Sequence, residues 1–188
     1  MQAEGVGAIA LDLVVRLESA QIPCAIGDAL ALATWGAPRA TTDVDLNAFV
    51  GPDDYERVLA VLEAGGCQLD RAKCLAQAKG GEVMVAHRDG YRVDVFVPSI
   101  PFDWISRDRV RRVGHDSGTV PFLSPEALAV YKLLFFRPKD LVDLANLVSA
   151  MRGTLDHAWV RAQMVDMLGE DSDRVVEWDK IVRTHGPR

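Results

Sequence analysis

One stretch decides the fold of this chain, and it reads IGDALALATWGAPRATTDVDL from Ile26 to Leu46. Its first residue ends a short apolar run, residues 22–26, which is typical of a buried strand. The Ala- and Leu-rich residues 28–35 predict a short helix, which the glycine and proline that follow would end. From 42 to 50 apolar and polar residues alternate, which predicts a second strand with one apolar face. We therefore expect a strand, a glycine turn, a short helix and a second strand.

Two carboxylates lie on one face of the second predicted strand. Asp43 and Asp45 are two residues apart, a spacing at which strand side chains point the same way. Carboxylates this close repel each other unless a cation lies between them. Mg²⁺ suits such a pair, because it takes one or two carboxylates and completes its shell with water and phosphate oxygens. The alternative is that both acids are simply solvated at a surface.

A third carboxylate, Asp94, lies in the middle of the β-prone segment 91–97, with valines on the opposite face. An acid is costly at such a position if it is buried without a partner. If this strand pairs beside the strand with the acidic pair, three carboxylates converge, and three can hold two metal ions roughly 3.5–4 Å apart. The alternative is an ion pair between Asp94 and Arg92 or Arg39.

Gly27 and Asp28 form the turn that opens the first short helix. Backbone N–H groups at a helix start attract phosphate, and glycine lets a ligand approach the backbone closely. Asp28 also fits a simpler role as the N-cap of that helix. The two interpretations conflict, because a carboxylate at this position would repel a triphosphate.

The rest of the chain predicts an α+β fold, in which a small mixed β-sheet flanked by helices precedes a C-terminal helical region. We expect the α/β core to span 1–122 and the helical region, packed on it, to span 123–188. The further predicted elements are helices at 4–19, 53–64, 125–136, 139–151, 156–168 and 171–184, a hairpin over 82–97 that turns at Asp89-Gly90, and a second short hairpin around Asp116-Ser117-Gly118. Residues 67–76 are ambiguous, and we expect Pro98 and Pro101 to break the chain.

Composition narrows the class of protein. The chain has 188 residues, 49% of them hydrophobic, and a net charge of −6, which is typical of a soluble globular protein. The negative charge argues against broad electrostatic binding to nucleic acid. Apolar runs stay short of the ~20 residues of a membrane helix, so we expect no membrane partner. Three cysteines without CxxC spacing favour a reducing, cytoplasmic location. The arginines at 107–112 are either a solvated face or a patch that steers a polyanionic substrate.

The stretch 26–46 resembles the signature of the nucleotidyltransferase superfamily that includes DNA polymerase beta. That signature is a hydrophobic residue, Gly, then Gly or Ser, a spacer, and an acid–hydrophobic–acid triplet on a strand, with a third acid on a later strand. The form found here looks most like the AbiEii-type branch, whose members include toxins of bacterial toxin–antitoxin and phage-defence systems. Lys132 and the segment RPKDLVDL at 137–144 are similar to the lysine helix and the Arg-x-Lys-Asp-x-x-Asp segment of that branch. The resemblance covers about 20–145.

The resemblance implies a metal-dependent transfer of a nucleoside monophosphate from a nucleoside triphosphate to a hydroxyl, with release of pyrophosphate. The implied acceptor is tRNA, a protein or a small molecule, and the implied further partner is a cognate antitoxin. The resemblance implies a phosphate turn at Gly27 and Asp28, and ligands for Mg²⁺ or Mn²⁺ at Asp43, Asp45 and Asp94. It implies a triphosphate contact at Lys132 and a role for Arg39 in positioning a phosphate or bracing Asp45. The residues that it implies shape the pocket are Lys139, Asp140 and Asp143.

The chain departs from the signature at Asp28, where Gly or Ser is usual. This departure motivates an alternative function, in which a catalytically degenerate member binds a nucleotide or a protein partner without turnover. Lys132 and the segment 137–143 also have a structural alternative, as the surface of a helix bundle. There Lys139 and Asp143, at i and i+4, would form a pair that contributes only a few tenths of a kcal/mol.

Overall fold

A computed structural model of the chain describes residues 5–115 and 118–187. Its elements confirm the α+β class and the helical C-terminal region that the sequence predicts. The helices are α1 (Val6–Ser19), α2 (Asp28–Thr34), α3 (Tyr55–Ala64), α4 (Arg71–Lys79), α5 (Pro101–Arg107), α6 (Pro125–Phe135), α7 (Pro138–Ala150), α8 (His157–Leu168) and α9 (Asp173–His185), with a 3₁₀ turn at Pro52–Asp54. The strands are β1 (Cys24–Ile26), β2 (Asp43–Ala48), β3 (Gln68–Leu69), β4 (Met84–Arg88), β5 (Tyr91–Phe96), β6 (Arg111–His115) and β7 (Gly118–Phe122).

The chain forms two compact units. The first consists of Met1–Leu30 and Ala40–Leu123, and the second of Ala31–Arg39 and Ser124–Arg188. The division therefore falls within α2. Within the described residues, none of the helices has the length and apolar character that a membrane crossing requires.

The first unit contains a mixed seven-stranded sheet with the order β3-β4-β5-β2-β1-β7-β6. The central pairing joins β2 to β5 in parallel, and β1 also pairs in parallel with β7. The remaining neighbours are antiparallel. The mixed sheet that the sequence predicts is confirmed.

One face of this sheet is apolar, and α1 packs on it. Val44 and Leu46 lie opposite Val93 and Val95 in the β2–β5 pair, and all four are buried. Burial of such side chains contributes about 1.5–3 kcal/mol each. Because strand side chains alternate, the residues between them lie on the other face, which carries the acids of β2 and β5.

Local signals explain two helices that the sequence analysis did not assign. In α4 the side chain of Asp70 caps the helix by accepting a hydrogen bond from the Lys73 N–H at 3.0 Å. In α5 Pro101 occupies the first helical position instead of breaking the chain, because its missing N–H would be unsatisfied there anyway. The Asp103 carboxylate accepts bonds from the N–H groups of Ser99 and Ile100, which fixes the helix start.

Turn chemistry agrees with the predicted hairpins. Asp89 and Gly90 both have positive φ, 52° and 84°, as the tight turn between β4 and β5 requires. The strands β6 and β7 form the second hairpin, while Asp116 and Ser117, where the sequence predicts its turn, lie outside the described residues.

The second unit is a set of packed helices. The side chain of Ser124 caps α6, and Pro125 follows at the first helical position, as the sequence predicts. α6 packs on α7 and α8, and α9 packs on the same two helices. Leu128, Leu147 and Trp178 are among the buried side chains of this unit.

His157 of the second unit is half-buried, with both ring nitrogens enclosed, and it matters for stability. Its ring lies 5.8 Å from the ring of Trp178, and its carbonyl accepts a bond from the Trp178 indole N–H. Within the described residues neither ring nitrogen has a hydrogen-bond partner. Burial lowers the pKa of His157 below its usual value, and the charges of Asp156 and Glu126 offset this only in part.

We predict that acid destabilises the protein through His157. Because its folded pKa lies below the unfolded value near 6.5, the unfolded chain binds the proton at higher pH. The contribution of neutral His157 is therefore complete above pH 6.5 and is lost as the pH falls through the folded pKa. Urea unfolding of the wild type and His157→Phe at several pH values between 7 and 5 measures this, and the variant should lose less stability. Equal losses would contradict the prediction.

Candidate functional site

The parallel pairing of β2 with β5 builds a charged face on the first unit. In this register Asp43 lies opposite Arg92, and Asp45 lies opposite Asp94. Side chains at these positions share one face of the sheet, and neighbouring strands are about 4.8 Å apart. We define the acidic face as these four residues. The strand pairing that the sequence analysis required for the three acids is thus present.

Arg92 is the counter-ion within the acidic face. Its Nε donates a hydrogen bond to Asp94 Oδ1 at 2.7 Å. The side chain of Arg92 is 46% exposed and that of Asp94 is 15% exposed. The bond to Asp94 raises the pKa of Arg92, and the charges of Asp94, Asp43 and Asp45 add to this effect. The ion pair with Arg92, which the sequence analysis named as an alternative for Asp94, is therefore formed.

The acidic face fits a divalent metal in its donor chemistry but not in its present side-chain arrangement. Carboxylate oxygens on adjacent strands are the ligands that Mg²⁺ and Mn²⁺ prefer. As the side chains stand, however, no three His, Cys, Asp or Glu residues within 5–115 and 118–187 are grouped to hold a metal ion. Asp94 instead directs an oxygen to the guanidinium of Arg92.

Gly27 joins β1 to the acidic strand. Its N–H donates to the carbonyl of Asp45 at 2.9 Å. A Cβ at position 27 would lie 2.9 Å from Nδ2 of Asn47, closer than real Cβ contacts come. A larger residue at position 27 would therefore require the Asn47 side chain to move, whether or not a phosphate binds nearby.

Asp28, the first residue of the seven-residue helix α2, has an unusual backbone conformation. Its φ is +36°, in the left-handed region that glycine adopts freely. Other L-residues lose roughly 1–2 kcal/mol there, although Asp and Asn tolerate it better than most. The residue that departs from the superfamily signature therefore also carries local strain.

We predict that Asp28→Gly is more stable than Asp28→Ala by about 1 kcal/mol. Both variants lose the carboxylate, so their difference isolates the backbone strain. Asp53 supplies a matched control, because it is exposed and is not among the described residues with positive φ. At position 53, glycine should be no more stable than alanine. Guanidinium unfolding curves of the four variants give the comparison, and equal midpoints for the two Asp28 variants would disprove the strain.

The second unit holds a separate charged network around two buried acids. Lys132 Nζ lies 2.6 Å from Asp143 Oδ2 and 3.3 Å from Asp140 Oδ1. Arg39 Nε donates to the same Asp143 oxygen at 3.2 Å. Arg137 Nε donates to Asp140 Oδ2 at 2.7 Å, and its backbone N–H donates to that oxygen at 3.1 Å. We call these five residues the lysine network.

Burial makes the lysine network strongly coupled. The side chain of Lys132 is 4% exposed, that of Asp140 is 0% and that of Asp143 is 7%. Burial alone would raise the pKa of Asp140, but the hydrogen bonds from Arg137 and the charge of Lys132 hold it below its usual value. Asp140 thus stays ionised in the folded chain at neutral pH.

Lys139 is different from Lys132, because it lies exposed at the start of α7. The carboxylate of Asp143 pairs with Lys132 and Arg39. The surface pair between Lys139 and Asp143, which the sequence analysis gave as an alternative, is not among the ion pairs of the described residues. The 137–143 segment is therefore more than a solvated helix surface.

We predict that Lys132→Ala destabilises the protein by about 3 kcal/mol, because it leaves two buried carboxylates without their shared cation. Lys139→Ala is the matched control and should change stability by less than about 0.5 kcal/mol. Denaturant unfolding at pH 7 measures both. Similar values for the two variants would mean that the buried pairing contributes little.

Two residues near these clusters were not predicted as site residues. Arg137 has a signal in the sequence, since Asp140 follows three residues later and its carboxylate can accept a hydrogen bond from the Arg137 backbone N–H. Asn47 continues the alternation of the acids in β2 and lies against Gly27. The arginines at 107–112 are partly used locally, because Arg107 pairs with Asp108 and Arg112 with Glu18.

Comparisons with known proteins give only partial likeness. No protein-family model matches the chain, and no curated protein matches it. The chain resembles a solution structure of the antibiotic-resistance factor ANT(2'')-Ia, with a TM-score of 0.48 and 14% identity over 94% of this chain and 90% of that one. A crystal structure of ANT(2'')-Ia in complex with adenylyl-2''-tobramycin gives a TM-score of 0.48 and 13% identity over 96% of this chain and 99% of that one.

The chain also resembles a crystal structure of an antigenic nucleotidyltransferase-like protein from Paracoccidioides brasiliensis. The TM-score is 0.46 and the identity 16%, over 92% of each chain. Likeness of this degree assigns no role to any residue described above.

Proposed function

We propose that this chain is a metal-dependent nucleotidyltransferase that moves a nucleoside monophosphate from a nucleoside triphosphate to a hydroxyl. One observation carries the proposal, namely the register in which Asp45 lies directly opposite Asp94 with Asp43 on the same face. Two carboxylates that face each other across parallel strands repel each other unless a cation lies nearby. Metal ions bound by such carboxylates can serve phosphoryl transfer. The order of the motifs along the chain supports the AbiEii-type branch.

In the proposed reaction the acceptor oxygen bonds to the α-phosphorus, and the electron pair of the broken P–O bond leaves with pyrophosphate. Asp43, Asp45 and Asp94 would hold Mg²⁺ or Mn²⁺, which when bound supplies charge neutralisation for the phosphates. Asp94, the less exposed member of its ion pair with Arg92, would also accept the proton of the acceptor hydroxyl in this proposal. Positioning and electrostatic stabilisation account for most of catalysis in such reactions.

The triphosphate contacts that the resemblance implies for Lys132, Lys139 and Arg39 belong to this proposal. Lys139 is exposed, and the side chain of Arg39 is 28% exposed, so both can meet a phosphate without leaving a buried carboxylate unpaired. Lys132 is enclosed by Asp140 and Asp143. Lys132 would therefore affect the triphosphate contact indirectly, by holding Asp140 and Asp143 in place.

The proposed donor is a nucleoside triphosphate, and the proposed acceptor is a hydroxyl of tRNA, of a protein or of a small molecule. A role in a toxin–antitoxin pair, with a cognate antitoxin as partner, belongs to the same proposal and rests on the resemblance to the AbiEii-type branch. Arg109 and Arg111 are only partly exposed, so a broad basic surface for a large RNA has little support.

We predict label transfer when the protein is incubated with each of four α-labelled nucleoside triphosphates, Mg²⁺ or Mn²⁺, total tRNA and total cell protein. Asp45→Asn should reduce the rate by roughly a hundredfold or more, because losing a metal ligand should lower activity at least as much as losing a residue that only supports one. Asp53→Asn, at an exposed acid of the same unit, is the matched control and should keep the wild-type rate. Gel separation of the labelled tRNA and protein identifies the acceptor class.

A second function competes with this one, namely nucleotide or partner binding without turnover. The carboxylate of Asp28 at the head of α2 favours it, since a negative charge there opposes a triphosphate. Nucleotide binding without any transfer, unchanged in Asp45→Asn, would establish the second function and overturn the first. Transfer that persists in Asp45→Asn would overturn the assignment of the acidic face as the reaction centre.

A further inference from the structure

The acidic face carries its own cation. Three carboxylates, those of Asp43, Asp45 and Asp94, share it with the guanidinium of Arg92. Arg92 Nε is 2.7 Å from Asp94 Oδ1, a distance typical of a charge-assisted hydrogen bond. The guanidinium thus neutralises one of the three charges that a metal ion would otherwise neutralise.

The side chain of Arg92 can move away from Asp94 without disturbing the core. The neighbouring residues Val93 and Val95 hold β5 through the buried apolar face, whereas the side chain of Arg92 is 46% exposed. A long, half-exposed side chain can turn into solvent by rotation about its own bonds. Because Asp94 is only 15% exposed and stays with the strand, the movable partner of this ion pair is the arginine.

We propose that Arg92 and a divalent metal ion compete for the carboxylate of Asp94. Arg92 donates to Asp94 Oδ1, so metal binding at that oxygen requires that this bond be broken. Arg92 is therefore a positioning residue that sets how tightly the acidic face binds metal. This inference rests on the proposed function, because it assumes that the acidic face is a metal site.

The ion pair and the strand register bear on the same carboxylate. The register brings Asp45 and Asp94 together as metal ligands would need, and Asp94 Oδ1 accepts the hydrogen bond from Arg92. A metal ion at that oxygen would have to replace the guanidinium. A protein binds a ligand more tightly when an ion pair that occupies the ligand's position is removed, because binding no longer has to break that pair.

The test measures Mn²⁺ binding without nucleotide, by the loss of the free-ion EPR signal. Arg92→Gln should lower the Mn²⁺ dissociation constant by about three- to tenfold, an effect kept modest by the exposure of the guanidinium. Arg92→Lys retains the positive charge but not the planar guanidinium, so its Mn²⁺ dissociation constant should lie between those of the wild type and Arg92→Gln. Arg71→Gln is the control for the loss of one positive charge from the first unit, because Arg71 pairs with Glu56 and Glu63, and it should bind Mn²⁺ as the wild type does.

Thermal unfolding separates competition from a merely structural role. Without metal, Arg92→Gln should be less stable than the wild type, because Asp94 loses its ion-pair partner beside two like charges. With saturating Mn²⁺ the variant should gain more in melting temperature than the wild type does, since it binds the ion more tightly. A residue that only holds the strands together would lower stability equally in both conditions.

The outcomes distinguish this inference from the function on which it rests. Mn²⁺ binding that is abolished in Asp45→Asn but equal in wild type and Arg92→Gln would overturn the competition and leave the metal site standing. Weaker binding in Arg92→Gln would also overturn it, by making Arg92 a residue that assists the metal. No binding in any of these variants, all of them folded, would overturn both the metal site and the competition.

Discussion

The parallel pairing of β2 with β5 is the constraint on which the rest of this structure depends. Val44 and Leu46 lie opposite Val93 and Val95 on the buried face. A slip of one residue would exchange the two faces of a strand and carry its carboxylates into the apolar core. The hydrophobic pattern that stabilises the sheet therefore also determines which acids meet on the opposite face.

The acidic face and the lysine network differ in burial, and burial decides what each can do. Arg92 in the acidic face is half-exposed, so its pairing with Asp94 can be exchanged for another partner at small cost. Lys132 and Asp140 are almost completely buried, so their pairing is difficult to break and tends to fix a geometry. The acidic face can therefore exchange ion-pair partners, whereas the lysine network holds its residues in a fixed arrangement.

Alternation and turn residues were enough to predict most of the elements, because β2, β5 and the helices after Ser124 each have a strong local pattern. The helix α5 was missed because Pro101 was interpreted as a break, whereas a proline also begins helices well. The partner of Asp94 remained open for a physical reason. Alternation identifies a strand and its faces, but the neighbour of a given side chain depends on register, which is a property of two strands together.

The joint between α6 and α7 shows how the lysine network is held in place. Phe136 closes α6 in the left-handed region, with φ of 55°, and its N–H donates to the carbonyl of Lys132 at 2.9 Å. Such a conformation is costly for an aromatic residue and persists only where the surroundings enforce it. Here the guanidinium of Arg174 lies 5.0 Å from the centre of the Phe136 ring, and its Nε donates to the Leu133 carbonyl at 3.0 Å. The chain can then turn at once into Arg137, so that the acids of α7 meet Lys132, and the strain at Phe136 is the local consequence of that short connection.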